Sequence, residues 1–579
     1  MATNNLQSHR SRWLVLALSA TAGVWGVRCG FSDPVQGGST GGSSTNPTGM
    51  TGVSGNNPTT VGAAGTNSNP TGTGGTGQGT AGTGQVIPGS SGTGQGGSGP
   101  STAGTGPTTG GSDATGGSQG GGTFPNYEVT GNWPNQPVAV KTMPGKLTYT
   151  KIQLHDRFLA ESCSIADYNG DGIPDVSAGR RWYEGPFGPG MPVKEHIYRG
   201  GHDDLPRNGD GPEIDTGVSD DWACYPYDVD KDGKVDIINI ANCDVDEAKN
   251  PNPQPAPQPK ASAFWYKNPG GAMAGTSMWQ GYSMHTDIRL EQHGLIDMNG
   301  DGFPEIYGAC KGCAPAQRKG YYKAAADPTA GWTFHAVTRQ YEFPFNGTGW
   351  LHGLGFGDVN GDGKPDLLER GGIWVDALAA APNETKCPGA GCGFIEQQLY
   401  GGGAGGELGG SHMFAFDVDG DGDGDVVSAD FAHNYGISWY ENMGANTLTF
   451  TKRQFVGGPQ DVGKYGVQFS EPHAMQAADM DGDGVPDIIV GKMRFAHPNG
   501  YGDPDLLGDP VLYVFKTIRN MPSTANGGSV TFEPHLVDTS AMGMKSGVGR
   551  QIAVGHVNTD GIMDVCTANK LGLYVFLGQ

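Results

Sequence analysis

The nine residues Asp479-Met480-Asp481-Gly482-Asp483-Gly484-Val485-Pro486-Asp487 decide the fold. Oxygen side chains stand at positions 1, 3, 5 and 9, and Gly484 stands at position 6. That spacing suits a hard cation, because Ca²⁺ takes about six to eight oxygen ligands in forgiving geometry. Alternate positions of a tight loop turn their carboxylates inward. A backbone carbonyl at position 7 and a bidentate acid at position 9 would complete the shell. Glycine at position 6 is the residue type that turns freely through positive φ. An EF-hand opens in the same way but closes with an acid at position 12 between two helices. Here the acid falls at position 9, and the β-branched run Ile488-Ile489-Val490 follows it. The stretch therefore predicts a calcium loop between two strands.

The motif occurs seven times, starting at Asp167, Asp228, Asp297, Asp358, Asp417, Asp479 and His556. The intervals are 61, 69, 61, 59, 62 and 77 residues, and a period of this size marks a propeller or solenoid. The ligand positions of the first three loops hold Asp167, Asn169, Asp171 and Asp175; Asp228, Asp230, Asp232 and Asp236; and Asp297, Asn299, Asp301 and Glu305. The next three hold Asp358, Asn360, Asp362 and Asp366; Asp417, Asp419, Asp421 and Asp425; and Asp479, Asp481, Asp483 and Asp487. The seventh keeps Asn558, Asp560 and Asp564 but opens on His556, which weakens the case for metal there. About six Ca²⁺ sites are expected. Every copy keeps the position-6 glycine: Gly172, Gly233, Gly302, Gly363, Gly422, Gly484 and Gly561.

The formal charge of −23 over 579 residues fits this reading, since 24 acidic side chains lie in the seven loops. No basic surface for nucleic acid is expected. Residues 1–33 read as an export signal. Arg10 and Arg12 precede the apolar run Trp13–Leu18, and Ala20-Thr21-Ala22 offers a cleavage site. The run is too short to span a bilayer. Cys29, followed by a flexible stretch, has the layout of a lipidated residue that would tether the protein to a membrane, although Arg28 departs from the small residue favoured there. Residues 34–125 are almost wholly Gly, Ser, Thr, Pro, Asn and Gln. They carry too little apolar surface to offset ordering entropy and should form a disordered linker. A secreted or surface-tethered monomer is expected, with residues 126–579 as its folded head.

Within the head each loop lies between a first and a second strand, the second being runs such as Ile237-Ile238, Leu367-Leu368, Val426-Val427 and Ile488-Ile489. A third, aromatic strand follows in every repeat: Trp182-Tyr183, Phe264-Trp265-Tyr266, Tyr321-Tyr322, Ile373-Trp374, Trp439-Tyr440, Tyr513-Val514-Phe515 and Tyr574-Val575-Phe576. A fourth reads as Thr449–Gln454 or Thr531–Glu533. Four antiparallel strands in roughly 64 residues make one propeller blade. The last repeat stops after its third strand, and Leu147–Ile152 is a spare strand that would complete it and leave no open edge. The fold class predicted is an all-β, seven-bladed propeller closed by this N-terminal strand.

Eight of nine cysteines follow the signal region, and in an exported protein an even set favours disulfides. Cys310 and Cys313, and Cys387 and Cys392, are local pairs, while Cys224 and Cys243 flank one loop. Cys163 and Cys566 then remain, in the first and last repeats, where a bridge would lock the ring.

The loop D-x-[DN]-x-D-G-x-x-D on strands with a W-Y-E-N type third strand resembles the FG-GAP/VCBS repeat family, which includes the integrin α-chain propeller and many bacterial surface proteins. The resemblance covers roughly residues 147–579 and implies a seven-bladed propeller with calcium in the first hairpin of each blade. A more distant similarity is to the propeller part of aldos-2-ulose dehydratases. Those carry additional cupin domains with no counterpart in this sequence.

If the calcium hairpins share one face, the connections that share the other include the insertions at about 199–221, 240–262 and 491–510. Inserted loops on a rigid scaffold are where binding normally lies. Six residues before each loop stand Glu161, Trp222, Glu291, His352, Ser411, His473 and Arg550, with His293 and His412 close by. In a ring these positions converge on the channel mouth, and two or three His with a Glu would bind a transition metal or form an acid/base pair. His433 and His497 read as isolated surface residues. Two functions follow from this face. One is a calcium-stabilised propeller that binds a protein or glycan ligand. The other is a secreted sugar lyase or dehydratase with its site among Glu161, Glu291, His352, His412, His473 and Arg550.

Overall fold

A computed structural model of the chain describes residues 147–200, 219, 221–240, 263–298, 301–310, 318–337, 352–369, 372–375, 393–396, 410–444, 448–460, 462–496, 503–520, 529–539 and 546–579. The expected export segment, Cys29, the linker and residues 126–146 lie outside them, as do Asn299, His497 and most of the two insertions at 199–221 and 240–262. No described helix is long and apolar enough to cross a membrane.

The described residues are almost all strand, with two single 3-10 turns at Gly271–Met273 and Pro328–Ala330. Strand β1 (Tyr149–His155) comes first. The first repeat holds β2 (Ser164–Ala166), β3 (Asp175–Ala178), β4 (Arg181–Glu184) and β5 (Lys194–Ile197). The second holds β6 (Ala223–Tyr227), β7 (Asp236–Ile240), β8 (Ala263–Lys267) and β9 (Gln280–His285). The third holds β10 (Arg289–Ile296), β11 (Glu305–Cys310), β12 (Arg318–Ala324) and β13 (Trp332–Ala336). Then come β14 (Leu354–Gly357), β15 (Asp366–Glu369), β16 (Gly372–Val375) and β17 (Gly393–Glu396). The fifth repeat is β18 (His412–Phe416), β19 (Asp425–Ala429), β20 (Ile437–Asn442) and β21 (Phe450–Val456). The sixth is β22 (Ala474–Ala478), β23 (Asp487–Gly491), β24 (Val511–Asn520) and β25 (Ser529–Thr539). The chain ends in β26 (Ile552–Gly555), β27 (Asp564–Asn569) and β28 (Gly572–Gly578).

These strands form a propeller arrangement, but not seven separate blades. There are five separate four-stranded sheets: β2 to β5, β6 to β9, β10 to β13, β22 to β25, and β1-β28-β27-β26. The repeats at Asp358 and Asp417 share one eight-stranded sheet, because β14 and β18 pair in parallel through Leu354–His412, Gly355–Met413 and Phe356–Phe414. The cause is the backbone of β14. A Cβ on Gly355 would lie 1.9 Å from the Met413 carbonyl oxygen, and one on Gly357 would lie 2.4 Å from the Ala415 Cβ. Two glycines let the first strands of neighbouring repeats close to hydrogen-bonding distance.

The closing strand is where the sequence placed it, with its bounds moved from Leu147–Ile152 to Tyr149–His155. β1 pairs antiparallel with β28, from Tyr149–Gly578 to His155–Leu573. A disulfide joins Cys163 to Cys566, 403 residues apart, with Cα atoms 6.5 Å apart. Cys310 is also disulfide-bonded, and Cys243, Cys313, Cys387 and Cys392 lie outside the described residues. Cys224 is a free, buried thiol, so the pairing expected around the second loop is not formed by it. The aromatic third strands pack between repeats. Trp182 and Tyr183 share one buried cluster with Phe264 and Tyr266 of the second repeat and Val575 of the last.

Two predictions follow from this closure. Removing residues 1–125 should leave a cooperative thermal transition, whereas a chain starting at residue 156, which lacks β1, leaves the β28 edge unpaired and should melt lower. Equal melting curves for the two truncations, followed by circular dichroism, would contradict the role of β1. Replacing Cys163 and Cys566 by Ala should cost about 2–5 kcal/mol, read as a fall in the denaturation midpoint under non-reducing conditions.

Candidate functional site

The hairpin loops share one hydrogen-bond pattern. The position-6 glycines all turn through positive φ, from 81° at Gly302 and Gly363 to 96° at Gly422. In the loop at Asp479, the position-1 carboxylate accepts from the Asp483 N–H at 3.0 Å and the Gly484 N–H at 2.8 Å. This Asx-type folding points the side chains of positions 1, 3 and 5 inward. Three carboxylate oxygens converge within 4.8 Å in the loops at Asp228 (with Asp230 and Asp236), Asp417 (with Asp419 and Asp425) and Asp479 (with Asp481 and Asp483). An all-oxygen donor set of this kind fits Ca²⁺. The fit is supported by buried oxygens of Asp230, Asp419 and Asp423 that have no hydrogen-bond partner.

The position-9 acid does more than the sequence indicated. In every loop one of its oxygens accepts from the position-2 N–H, as Asp175 does from Tyr168 at 2.8 Å and Asp425 from Val418 at 3.0 Å. The other oxygen of Asp175, Asp236, Asp425, Asp487 and Asp564 accepts a backbone N–H at the end of the third strand, for example Asn442 N–H to Asp425 at 2.7 Å. This residue bolts the loop to its sheet, and bidentate ligation by it is not what the geometry favours. The loops are also stitched to their neighbours. The side-chain amide of Asn268 donates to the Tyr168 carbonyl of the preceding loop at 2.7 Å, and that of Asn442 donates to Val359 at 3.0 Å. In the seventh loop His556 Nδ1 donates to the Ile562 carbonyl at 2.9 Å. That bond joins positions 1 and 7, the places where two metal ligands would stand, so the protein closes this loop itself.

At the other set of positions the first strands bring side chains together. Arg550 Nε donates to Glu291 Oε2 at 2.9 Å, its Nη1 pairs with Glu161, and its guanidinium lies 4.1 Å from the Trp222 ring centroid. His473 Nε2 is 3.0 Å from Glu291 Oε2. His352 and His433 meet Nε2 to Nε2 at 2.7 Å, and His352 Nδ1 lies 3.2 Å from Gln292 Oε1. The amide oxygen is an acceptor, so His352 carries its proton on Nδ1 and turns the Nε2 lone pair toward the cluster. Ring centroids of His352, His433 and His473 are 4.6 to 5.0 Å apart. One ligand atom each from Glu291, His352, His433 and His473 lies within 4.8 Å of the others.

The electrostatics suit a bound cation. Burial works against the ionised Glu291 carboxyl, but the Arg550 guanidinium, chief among its neighbours, outweighs it and holds the group well below the ordinary carboxylate range. Burial drives the His473 imidazole well below its usual value, more than Glu291 raises it. His473 is fully buried and its Nδ1 has no hydrogen-bond partner. A neutral imidazole kept in a charged, buried cluster is the form that ligates metal, and three imidazoles with one carboxylate fit zinc-like ions.

Of the residues expected at this mouth, Glu161, Trp222, Glu291, His352, His473 and Arg550 do converge. Ser411 is buried beside them in sequence register, and His412 stacks on Phe414 at 6.3 Å between ring centroids, its pKa lowered to about 4 chiefly by burial. His433 is the correction. It is buried, not an isolated surface residue. It sits between β19 and β20, a connection on the face opposite the acidic hairpins, and that placement was the available signal. Asp503, in the insertion at 491–510, approaches His433 Nδ1 at 3.7 Å.

The fold is thus an all-β propeller arrangement built on repeated acidic hairpins. Residues 297–369 and 417–490 match the family model of the FG-GAP-like repeat, and the chain carries repeats of this type. No curated protein matches the chain. Among solved structures, similarity is found to the rhamnogalacturonan lyase YesW (14% identity, 78% of this chain and 75% of that chain, TM-score 0.32). It is also found to a Bacillus licheniformis rhamnogalacturonan lyase (15%, 78% and 75%, TM-score 0.31). A third is the V. cholerae biofilm matrix protein Bap1 (10%, 78% and 91%, TM-score 0.28). At these TM-scores the likeness carries no argument about activity.

Proposed function

We propose that this protein is an exported, calcium-stabilised propeller whose channel mouth is a metal-dependent active site for hydroxylated carbohydrate, of the lyase or dehydratase class. The eight-stranded sheet is counted as two blades joined at their first strands, which makes seven. The observation that carries the reading is the buried meeting of His352, His433 and His473 with Glu291. A propeller that only binds ligands on its loops has no need of it. When bound there, a zinc-like ion would polarise a carbonyl or hydroxyl oxygen of the substrate. The chain's own part is to hold the His473 imidazole neutral, to keep Glu291 ionised through Arg550, and to fix the His352 tautomer through Gln292. Calcium in the hairpins of the first six repeats is structural in this reading, and the seventh hairpin needs none.

The test is elimination from a carbonyl sugar, followed by the ultraviolet absorbance of the conjugated product. Activity that requires one transition-metal equivalent per chain is the expected result. A chain that carries calcium alone and turns over no such substrate would leave the alternative, a non-catalytic propeller binding a protein or glycan.

A further inference from the structure

The hairpin loops are not electrostatically equivalent, and one strand position accounts for much of the difference, beside the position-7 lysines Lys234 and Lys364 that pair with Asp232 and Asp362. Directly after the aromatic pair of the third strand stand Lys267, Lys323 and Lys516 in the second, third and sixth repeats, but Glu441 in the fifth. Each lysine reaches the loop of its own repeat. Lys267 Nζ pairs with Asp230 and, at 2.9 Å, with Asp232. Lys323 Nζ is 2.8 Å from Asp301 and 3.2 Å from Glu305. Lys516 Nζ pairs with Asp481 and stands 3.9 Å from Asp483. In the fifth repeat Glu441 is instead taken by Arg453. That loop adds a fifth carboxylate, Asp423, at position 7. Arg519 reaches this loop at its backbone, donating to the Asp417 and Val418 carbonyls, while its guanidinium is 4.0 Å from the Asp417 carboxylate. Asp419 and Asp423 are 2% and 6% exposed, and each keeps a buried oxygen without a hydrogen-bond partner. Orphaned buried oxygens in a five-carboxylate loop point to a cation.

We infer that the residue after the third-strand aromatic pair grades the calcium loops: lysine supplies a built-in counter-ion that weakens calcium binding, and the Asp417 loop binds calcium most tightly. This rests on the reading of the hairpins as calcium sites. Two effects act together. The ammonium repels the incoming dication, and it occupies carboxylate oxygens that the dication needs. The lysine-bearing loops bind calcium more weakly and lean on it less for their shape than the Asp417 loop does.

The experiment is calorimetric titration of Ca²⁺ into the full chain after chelation and desalting. The wild-type isotherm should separate a tight class that includes the Asp417 loop from a class at least tenfold weaker. Lys267→Gln and Lys516→Gln should each move one equivalent toward the tight class, while Lys516→Arg, which keeps the charge, should not. Asp423→Asn should weaken the tightest site about tenfold. These lysines are partly exposed, so the variants are expected to fold. Unchanged isotherms in both Lys→Gln variants, with calcium still bound, overturn the grading alone. Absence of any calcium binding overturns the calcium reading beneath it.

Discussion

Excess EDTA is expected to lower the melting temperature of this protein by about 10 °C or more, and added Ca²⁺ to restore it. A ligand of the native state present at about 100 times its Kd stabilises by ~2.7 kcal/mol per site. Four such sites give ~11 kcal/mol, and at about 1 °C per kcal/mol for a folded head of this size the shift reaches that range. The loops also hold more than themselves. Asn268 and Asn442 tie one repeat to the loop of the repeat before it, so a loop that opens loosens the contact between sheets. An unchanged melting curve in EDTA, with loss of metal confirmed by elemental analysis, would remove calcium from the account.

The same loops fix a sign for the pH dependence. Without cation, burial pushes the carboxyls of Asp175 and Asp236 up to about 8 and that of Asp564 to about 7, against the pull of their backbone donors. Unfolded, these groups titrate near ~3.9. Between those values the folded chain holds more protons than the unfolded one, so the stability of the chelated protein falls as pH rises from about 4 to 8. Calcium favours the ionised form and removes that slope in the loops that bind it. The gap between the melting temperatures with and without calcium should therefore widen from pH 5 to pH 8. A gap that narrows over this range would contradict the assignment.

What could be read in the sequence was what is local or repeats in register. The loops, the aromatic strands and the closing strand all follow from short patterns, and the offset from each loop found Glu161, Glu291, His352, His473 and Arg550. The joining of two repeats into one sheet depends on backbone approach at Gly355 and Gly357, which no pattern in either repeat announces. His433 has no register relation to any loop and joins the cluster through a connection between strands. The two backbone bonds of the position-9 acids depend on where the third strand runs, which only the folded chain reveals. Lys267, Lys323 and Lys516 were visible as residues, but their reach to the loops was not.

Substituting His352 and His473 together is expected to remove one equivalent of transition metal from the purified protein. Each contributes an imidazole to a set in which every ligand atom lies within 4.8 Å of the rest. Loss of two of three imidazoles leaves His433 and Glu291, too few to hold a zinc-like ion against the solvent. Both residues are buried, at 5% and 0% exposure, so alanine would leave cavities and cost stability of its own, about 2–5 kcal/mol by analogy with large-to-small changes in cores. His352→Gln with His473→Gln keeps most of the volume and separates metal loss from unfolding. The calcium loops are untouched by either change, so the EDTA-sensitive part of the melting temperature should persist. A third variant, Glu291→Gln, removes the anion that Arg550 and His473 share, and should weaken metal binding without abolishing it. The measurement is elemental analysis after dialysis against calcium-containing, chelator-free buffer. One equivalent in the wild type, none in the double variants and an intermediate value in Glu291→Gln is the expected order. A wild-type protein holding calcium alone would show that the three imidazoles meet for some purpose other than a metal.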